Sequence, residues 1–372
     1  MNSEAERPVT IFLCGDVMTG RAIDQILPHP SDPRIYEEVV SDARTYIYLA
    51  EEVNGPIPRP ADLSYVWGDA LAELQQAAPR ARVVNLETSV TRTDRPWPKG
   101  INYRMNPSNV GCLRVAGIDV CVLANNHVLD YLHPGLVETL ETLHRTGLKT
   151  AGAGWTAGEA RLPAVLDIGA GSRIVVHGFG TQTSGIPPSW AAAEDRPGVD
   201  FLPDLSAQTA RAIESRVQEV KRSGDVTIAS IHWGSNWGYE VSPEHIRFAH
   251  RLIDGGVDIV HGHSSHHPRP IEVYRGRIIF YGCGDFLNDY EGISGFEEYR
   301  ADLVLMYFIS LDPAGGDVIQ LRMAPMQIRK MRLNRAAPRD ARWLADRLGR
   351  ISTHYGAWVE MAEDGSLVLR RE

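Results

Sequence analysis

Five short polar motifs carry side chains that bind divalent metal ions or transfer protons. They read GDVMTGR (15–21), NLE (85–87), NNHVLD (125–130), HWG (232–234) and GHSSH (262–266). Each follows a strand-like apolar run, and open α/β sheets build their sites where strands give way to loops. Carboxylate, amide and imidazole donors without thiolate suit Mn, Mg, Ca, Fe or Zn. The five motifs together predict a site for one or two divalent ions.

The segment VDIVHGHSSHHPRP (257–270) is rich in histidine, with His261, His263, His266 and His267 behind a short apolar run. Such a segment forms a metal site, a nucleic-acid patch or a plain polar loop. A net charge of −9 argues against a nucleic-acid partner held through phosphate contacts. The four distant motifs argue against a plain loop, so we interpret the segment as a metal loop.

The composition is typical of a globular protein. The chain has 372 residues, of which 43% are hydrophobic and 23% charged, enough to bury a sizeable core. No apolar run approaches the roughly 18–20 residues that span a bilayer, and the N-terminus does not resemble a signal peptide. We therefore expect a cytoplasmic protein without membrane contact. Three of its four scattered cysteines lie in or beside apolar runs, where we expect reduced, buried thiols. The oligomeric state stays open.

Apolar runs of strand length alternate with helical patterns, which indicates an α/β layered fold. Helices are predicted from Pro134 to a stop at Gly147 and from Pro243 to a stop at Gly255. Later strands without intervening helices predict a second, partly antiparallel sheet. The predicted strands are 9–15, 82–87, 119–124, 173–180, 226–233, 257–262, 277–282, 303–311 and 318–328.

We predict one main domain over residues 8–330. Two irregular stretches within it, at about 28–62 and 181–204, are too long for plain connectors and are interpreted as loop insertions. A C-terminal unit, 331–372, with a helix at 338–352, is expected to pack on the same domain.

The order of the motifs resembles the CapA family, named for poly-γ-glutamate capsule synthesis, in the calcineurin-like metallophosphoesterase superfamily. The resemblance covers residues 9–290 and implies a fold, a sandwich of two mixed β-sheets flanked by helices with one or two metals at the strand ends. The segments that carry it are GDVMTGR, NLETSV, LANNHVLDYLHPGLVETLETL, HWG, GHSSHHPRPIEVYRGR and YGCGDF.

The resemblance also implies roles for individual residues. Asp16 looks like the first metal carboxylate, Glu87 stands where the superfamily has a bridging aspartate, and His127 matches the acid/base histidine. The other implied metal ligands are Asn126, His232, His263 and His266.

Two departures from the superfamily pattern affect the chemistry. Met18 replaces the histidine of the Asp-x-His opening, and a thioether does not hold a hard cation, so the second metal position is weakened. Asp285 stands where the family has an asparagine and adds a carboxylate near the site, as a catalytic group or a turn residue.

Three chemistries follow from such a site. They are phosphoester hydrolysis, processing of a poly-γ-glutamate chain, and metal-assisted acid/base chemistry on a peptide, as in soluble CapA-like epimerases that act on lasso-peptide precursors. We favour the third, with a peptide or small-molecule substrate, because of the acidic composition and the incomplete ligand set; a non-catalytic metal-binding role stays an alternative. The predicted catalytic residues are His127, Asp130, His232 and Asp285, and the predicted substrate contacts are Arg21, Trp233 and His267.

Overall fold

The computed structural model describes residues 8–169, 171–312 and 317–371. Within these residues, two large mixed β-sheets pack face to face, and helices cover the outer face of each sheet. This architecture confirms the predicted sandwich of two mixed sheets flanked by helices. The predicted domain also includes residues 170 and 313–316, and the C-terminal unit includes Glu372, all of which lie outside the described residues.

The strands are β1 (Val9–Val17), β2 (Ala81–Leu86), β3 (Ser89–Val90), β4 (Arg104–Met105), β5 (Val120–Val122), β6 (Lys149–Ala151), β7 (Ala153–Gly154), β8 (Ala164–Gly169), β9 (Ser172–Thr181), β10 (Gly198–Val199), β11 (Phe201–Leu202), β12 (Val226–His232), β13 (Ile259–His263), β14 (Ile271–Tyr274), β15 (Arg277–Phe280), β16 (Asp285–Leu287), β17 (Leu303–Leu311), β18 (Val318–Ile328), β19 (Leu333–Arg335), β20 (Ala357–Met361) and β21 (Leu367–Arg371). The α-helices are α1 (Arg21–Ile26), α2 (Arg44–Asn54), α3 (Ala70–Ala77), α4 (Gly111–Val115), α5 (Leu132–Arg145), α6 (Ala157–Ala160), α7 (Ala207–Val220), α8 (Pro243–Asp254) and α9 (Pro338–Ser352). Short 3-10 helices lie at Tyr65–Trp67, Pro107–Asn109, Gln182–Ser184, Pro188–Trp190, Glu297–Tyr299 and Thr353–Tyr355.

The first sheet has the strand order β20-β21-β18-β17-β1-β2-β5-β6, with β16 also paired to β1 and β19 to β18. Strands β1, β2, β5 and β6 are parallel, whereas β17 runs antiparallel to β1. The parallel strands therefore end at one edge of the sheet, where the motifs after β1, β2 and β5 come together.

The second sheet has the order β11-β9-β12-β13-β15-β14, with β8 also paired to β9. Its strands β9, β12, β13 and β15 are parallel, and β8 and β14 add antiparallel edges. The prediction that the later strands form a sheet of their own was wrong. Strands β17 and β18 extend the first sheet and β14 and β15 the second, because each long apolar strand needs a hydrogen-bonded neighbour in the sandwich.

Three apolar clusters hold the layers together. Side chains such as Leu13 and Val83 of the first sheet meet Val176 and Ile228 of the second between the sheets. The outer face of the first sheet packs on α1 to α5, and the outer face of the second on α7 and α8. The inner strands are buried on both faces, which explains their continuous rather than alternating apolar runs.

The predicted helices are confirmed, and their boundaries follow from local capping. The Ser242 hydroxyl accepts a hydrogen bond from the His245 backbone N–H at the start of α8, and Pro243 occupies its first position. Helices α5 and α9 lie where the apolar periodicity places them. No helix among the described residues combines the length and hydropathy needed to cross a bilayer.

The two stretches predicted to be irregular differ from each other. Residues 28–62 contain the whole of α2, whose Tyr46, Ile47 and Ala50 are buried against the neighbouring core. Residues 181–204 consist mainly of turns and two short strands. Their assignment as insertions stays a prediction.

Candidate metal and acid/base site

Donor atoms from both sheets converge where their parallel strands end. Asp16 lies near the end of β1, and His232 and His263 are the last residues of β12 and β13. Ligand atoms of these three buried residues all lie within 4.8 Å of one another. Glu87 and Asn126 join them from the loops after β2 and β5, because Glu87 Oε1 is 3.7 Å from His232 Nε2 and Asn126 Oδ1 is 3.1 Å from the same nitrogen.

Two buried carboxylates lie at the centre of this donor set. The Asn85 amide donates to Asp16 Oδ1 at 2.7 Å and to Glu87 Oε2 at 3.1 Å, and the Ser264 backbone N–H donates to Asp16 Oδ2 at 3.1 Å. Burial, together with the charge of Asp285, raises the pKa of Asp16 to about 7. Burial and the charge of Asp16 raise the pKa of Glu87 well above its usual value. The charges of Lys99 near Glu87 and of His266 near Asp16 lower these pKa values, but burial outweighs them.

A chain of hydrogen bonds assigns the histidine tautomers. His261 Nε2 donates to the Cys14 carbonyl oxygen at 2.8 Å, so its Nδ1 accepts from the Ser230 hydroxyl at 2.9 Å. That hydroxyl oxygen then accepts from His263 Nε2 at 2.9 Å, which leaves a lone pair on His263 Nδ1. Burial lowers the pKa of His263 well below its usual value, so the ring is neutral.

His232, the second histidine of the donor set, directs the lone pair of its Nδ1 towards His263 Nδ1. His232 Nε2 donates to Asn126 Oδ1, and its Nδ1 lies 2.7 Å from His263 Nδ1. Two lone pairs at this distance repel each other unless a cation lies between them or beside them. Neutral imidazoles and the Asp16 carboxylate around this point fit a divalent ion. Asp16, His232 and His263 would hold it there, and Glu87 and Asn126 would complete the donor set from the Nε2 side of His232.

A histidine–aspartate pair borders the donor set beside Glu87. His127 Nδ1 donates to Asp130 Oδ2 at 2.6 Å, and the Tyr103 backbone N–H donates to the same oxygen at 2.6 Å. Lys99 Nζ lies 2.5 Å from Asp130 Oδ1 and donates to the Asn126 carbonyl oxygen at 2.5 Å. His127 Nε2 therefore carries a lone pair, 3.9 Å from Glu87 Oε1. Burial lowers the pKa of His127 to about 4, so this ring is neutral at pH 7.

A second histidine–aspartate pair borders the donor set beside Asp16. His266 Nδ1 lies 3.0 Å from Asp285 Oδ1, and the Asn288 amide donates to Asp285 Oδ2 at 2.7 Å. Burial lowers the pKa of His266, but the charge of Asp285 and the hydrogen bond to it outweigh this effect and raise the pKa overall. The structure thus places His266 with Asp285, outside the cluster that Asp16, His232 and His263 form.

The three predicted substrate contacts lie in different surroundings. Arg21 is buried and already binds carboxylates, with Nε and Nη2 on Asp289 and Nη1 on Glu37. His267 is buried against Tyr299, 4.5 Å between ring centroids.

The structure does not support a substrate contact for Trp233. Its indole is buried in the core behind the second sheet, and its N–H donates to the Tyr281 carbonyl oxygen at 3.1 Å. The strand-end motif HWG points its histidine into the site and its tryptophan the other way, as successive residues of a strand do.

Three contributors were not predicted from the sequence. Asn85 bridges the two carboxylates, Ser230 fixes the tautomer of His263, and Lys99 joins His127, Asp130 and Asn126. The NLE motif begins with Asn85, so its place before Glu87 was a usable signal. Lys99 lies in a proline-containing loop, 27 residues before Asn126. Nothing in its sequence position indicates that it contacts residues 126–130.

A cavity of about 660 Å³ opens beside the second pair. His266 and Asn288 lie on one side of it, and α2 and the segment after β16 form other walls. The site therefore combines a donor set, two histidine–aspartate pairs and an adjoining chamber of a size common for small-molecule and peptide side-chain binding.

Residues 10–290 match the family described as Bacterial capsule synthesis protein PGA_cap. The chain belongs to this family. The match spans the strands and loops that carry every donor named above, so the resemblance to the CapA family is confirmed. Membership of PGA_cap and the candidate Asp/His cluster are consistent with a metal-dependent protein.

Curated relatives of this PGA_cap protein include a probable polyglutamine synthesis accessory protein of Mycobacterium tuberculosis, 47% identical over 364 residues, covering 96% of this chain and 95% of the relative. The PGA biosynthesis protein CapA of Bacillus subtilis is 27% identical over 303 residues, covering 81% and 68%. Among solved structures, a 5'-nucleotidase precursor from Thermus thermophilus matches with a TM-score of 0.37 and 11% identity, over 86% of this chain and 54% of that one.

Proposed function

We propose that this PGA_cap protein is a metal-dependent enzyme that carries out acid/base chemistry on a peptide, and that its reaction is epimerisation at a Cα carbon. The natural substrate would be a residue of a ribosomal peptide precursor of the lasso type. The observation that carries the proposal is the pair of histidine–aspartate units, His127 with Asp130 and His266 with Asp285, which border opposite carboxylates of one donor set.

The donor set would hold the ion through Asp16, Glu87, Asn126, His232 and His263. A divalent ion there would polarise a carboxylate or carbonyl oxygen of the substrate and make the adjacent Cα–H more acidic. Burial of the donors excludes water from their surroundings, which strengthens every electrostatic interaction with the substrate.

Each histidine–aspartate unit would move one proton. Nε2 of His127 would remove the Cα proton, while Asp130 and Lys99 hold the ring with its Nδ1 proton in place. His266, hydrogen-bonded through Nδ1 to Asp285, would return a proton to the other face of the carbon. Inversion requires two such groups, whereas removal and return by one group restores the original configuration.

Hydrolysis is the second candidate, as processing of a polymer of the kind that the names of the relatives mention. A probable polyglutamine synthesis accessory protein and a PGA biosynthesis protein are similar over most of this chain, which supports processing of a γ-linked glutamate polymer. Phosphoester hydrolysis by the same donor set is the other form of this alternative, and a non-catalytic accessory role is a third.

Solvent exchange separates these candidates. The Mn²⁺-loaded protein in D₂O is incubated with short peptides that end in a free carboxylate, with γ-glutamate oligomers and with p-nitrophenyl phosphate. Epimerisation predicts deuterium at Cα of the peptide together with a D-residue in chiral analysis. Phosphate release or shortened glutamate chains without deuterium uptake would establish hydrolysis instead, and no turnover of any probe would leave the accessory role.

A further inference from the structure

The cavity beside His266 is chemically distinct from the donor set. Among the described residues, its lining includes Arg21 and His266 of the predicted site. The rest comes from α2, Ile101, Trp237, Asn288, the 290–302 segment and residues 327–329 at the end of β18. If a substrate is held at the donor set, the part of it that extends past His266 would enter this cavity.

Apolar side chains form much of the cavity wall and face solvent. Val53, Ile101, Ile293 and Phe296 line it and are 46–63% exposed, which is unusual for side chains of this size grouped around one opening. The Trp237 indole stacks on Phe296 with centroids 4.0 Å apart and an angle of 8° between the rings. The same indole lies 5.2 Å from the His266 ring, so the apolar wall begins next to the acid/base pair.

Two of the three arginines that line the cavity, Arg21 and Arg300, are already bound to carboxylates. Three arginines and three carboxylates line it, which gives no net formal charge. Arg21 is bound to Asp289 and Glu37, and Arg300 is bound to Asp302 at 2.8 Å and to Asp340 at 3.1 Å. A chain with one carboxylate on every residue would have to displace these partners before it could use Arg21 or Arg300, which leaves it Arg329 alone of the three lining arginines.

We propose that this cavity is a subsite for a large apolar or aromatic side chain of the substrate, next to the carbon that reacts. It follows that a γ-linked polyglutamate is a poor occupant. The inference rests on the proposed function for the position of the reacting carbon. The selection itself follows from the apolar wall and the paired charges.

Binding measured without turnover tests this selection. Calorimetric titration of the Mn²⁺-loaded protein compares Ala-Gly-Ser-Trp, Ala-Gly-Ser-Glu and tetra-γ-glutamate, all with free carboxyl ends. We expect the tryptophan peptide to bind at least about tenfold more tightly than either acidic probe, since one buried aromatic side chain is worth this much or more.

Two variants locate the effect in the cavity. Trp237→Ala should weaken binding of the tryptophan peptide about tenfold, whereas Trp358→Ala, which alters an exposed tryptophan on β20, should leave it unchanged. Ile293→Lys should weaken the tryptophan peptide and strengthen tetra-γ-glutamate by about threefold or more, because it adds a cation to the wall.

The outcomes separate this inference from the proposed function. Preferential binding of the tryptophan peptide without deuterium uptake would sustain the subsite and refute epimerisation of that peptide. The subsite would be overturned if tetra-γ-glutamate bound as tightly as the tryptophan peptide or more tightly. It would also be overturned if no probe gave a heat of binding at millimolar concentration. Loss of binding in Trp358→Ala to the same extent as in Trp237→Ala would overturn it as well.

Discussion

Asp16 and Asp285 are register partners at the ends of two neighbouring parallel strands, β1 and β16. The pairing places the carboxylate of the proposed metal ligand Asp16 beside the carboxylate that holds His266. Their proximity, together with burial, keeps a proton on Asp16 up to about pH 7 when no ion is present. If Asp16 holds an ion as proposed, ion binding at this pair of strands would release its proton.

Metal affinity should depend on pH through Asp16. Below about pH 7 the ion must displace a proton from Asp16, and Glu87, whose pKa is also raised, adds a second proton, so the apparent affinity should rise about tenfold per pH unit per proton released. His232 and His263 contribute no protons, because burial lowers the pKa of both rings. Calorimetry with Mn²⁺ at pH 6.0 in buffers of different ionisation enthalpy measures the proton count. Affinity that falls as pH rises from 5.5 to 7 would contradict the assignment of Asp16.

Removing either acid/base histidine should stop turnover without emptying the metal site. His127→Gln and His266→Gln should each lower the rate of Cα exchange by about 10²- to 10⁴-fold, the usual contribution of a general acid or base. Mn²⁺ affinity should change by less than about tenfold, since neither ring belongs to the Asp16–His232–His263 cluster. His354→Gln, at an exposed position, is the control. Full activity in either variant would remove that histidine from the mechanism.

Lys99 should stabilise the fold as well as position His127. Lys99→Met leaves the fully buried Asp130 carboxylate without its cation, which should lower the free energy of unfolding by about 1–3 kcal/mol. The expected loss in the free energy of unfolding is smaller than for a fully buried ion pair, because the Lys99 side chain is 26% exposed. The rate of Cα exchange should fall at least about tenfold in Lys99→Met, because the variant loses a group that orients the catalytic His127 ring. Lys99→Arg keeps the positive charge and should recover part of this rate. Lys149→Met, at an exposed position of β6, should change neither quantity in chemical denaturation and exchange assays.

Gly15 should be essential for the position of Asp16. A Cβ at Gly15 would lie 1.7 Å from the Gly284 carbonyl oxygen, so Gly15→Ala must push β16 away from β1. We expect a loss of about 3 kcal/mol or more in the free energy of unfolding and a large loss of Mn²⁺ affinity. Gly158→Ala is the matched control, since its nearest neighbour is 3.7 Å away at Thr156 Oγ1. Wild-type metal affinity in Gly15→Ala would show that β16 is free to shift without moving Asp16.

The strand-end motifs could be predicted to form one site because parallel strands bring their carboxyl ends together. This prediction does not depend on how the loops fold. Asp16, Glu87, His232 and His263 meet for this reason, and the predicted central strands are present. Lys99 was not visible, because its position depends on how a loop with several prolines folds over residues 126–130.

Short-range patterns also failed where tertiary contacts decide the outcome. Helix α2 lies in a stretch with many prolines and mixed polarity, and it is held by burying a narrow face that includes Tyr46 and Ile47. Trp233 was predicted as a substrate contact because it follows a site histidine, yet its side chain is buried in the core behind the second sheet. The later strands are divided between the two sheets by their pairing partners, because β17 pairs with β1 and β15 pairs with β13. The apolar pattern of each strand alone does not reveal its partner.

The donor set draws on both sheets, with Asp16, Glu87 and Asn126 from one and His232 and His263 from the other. The His261 hydrogen bond to Cys14 and the Ser264 hydrogen bond to Asp16 cross the same gap. A chain in which the halves of the sandwich have formed but not docked cannot present all five donors at one point. An ion bound by the proposed donor set would therefore bind only the docked sandwich and stabilise the contact between its two sheets.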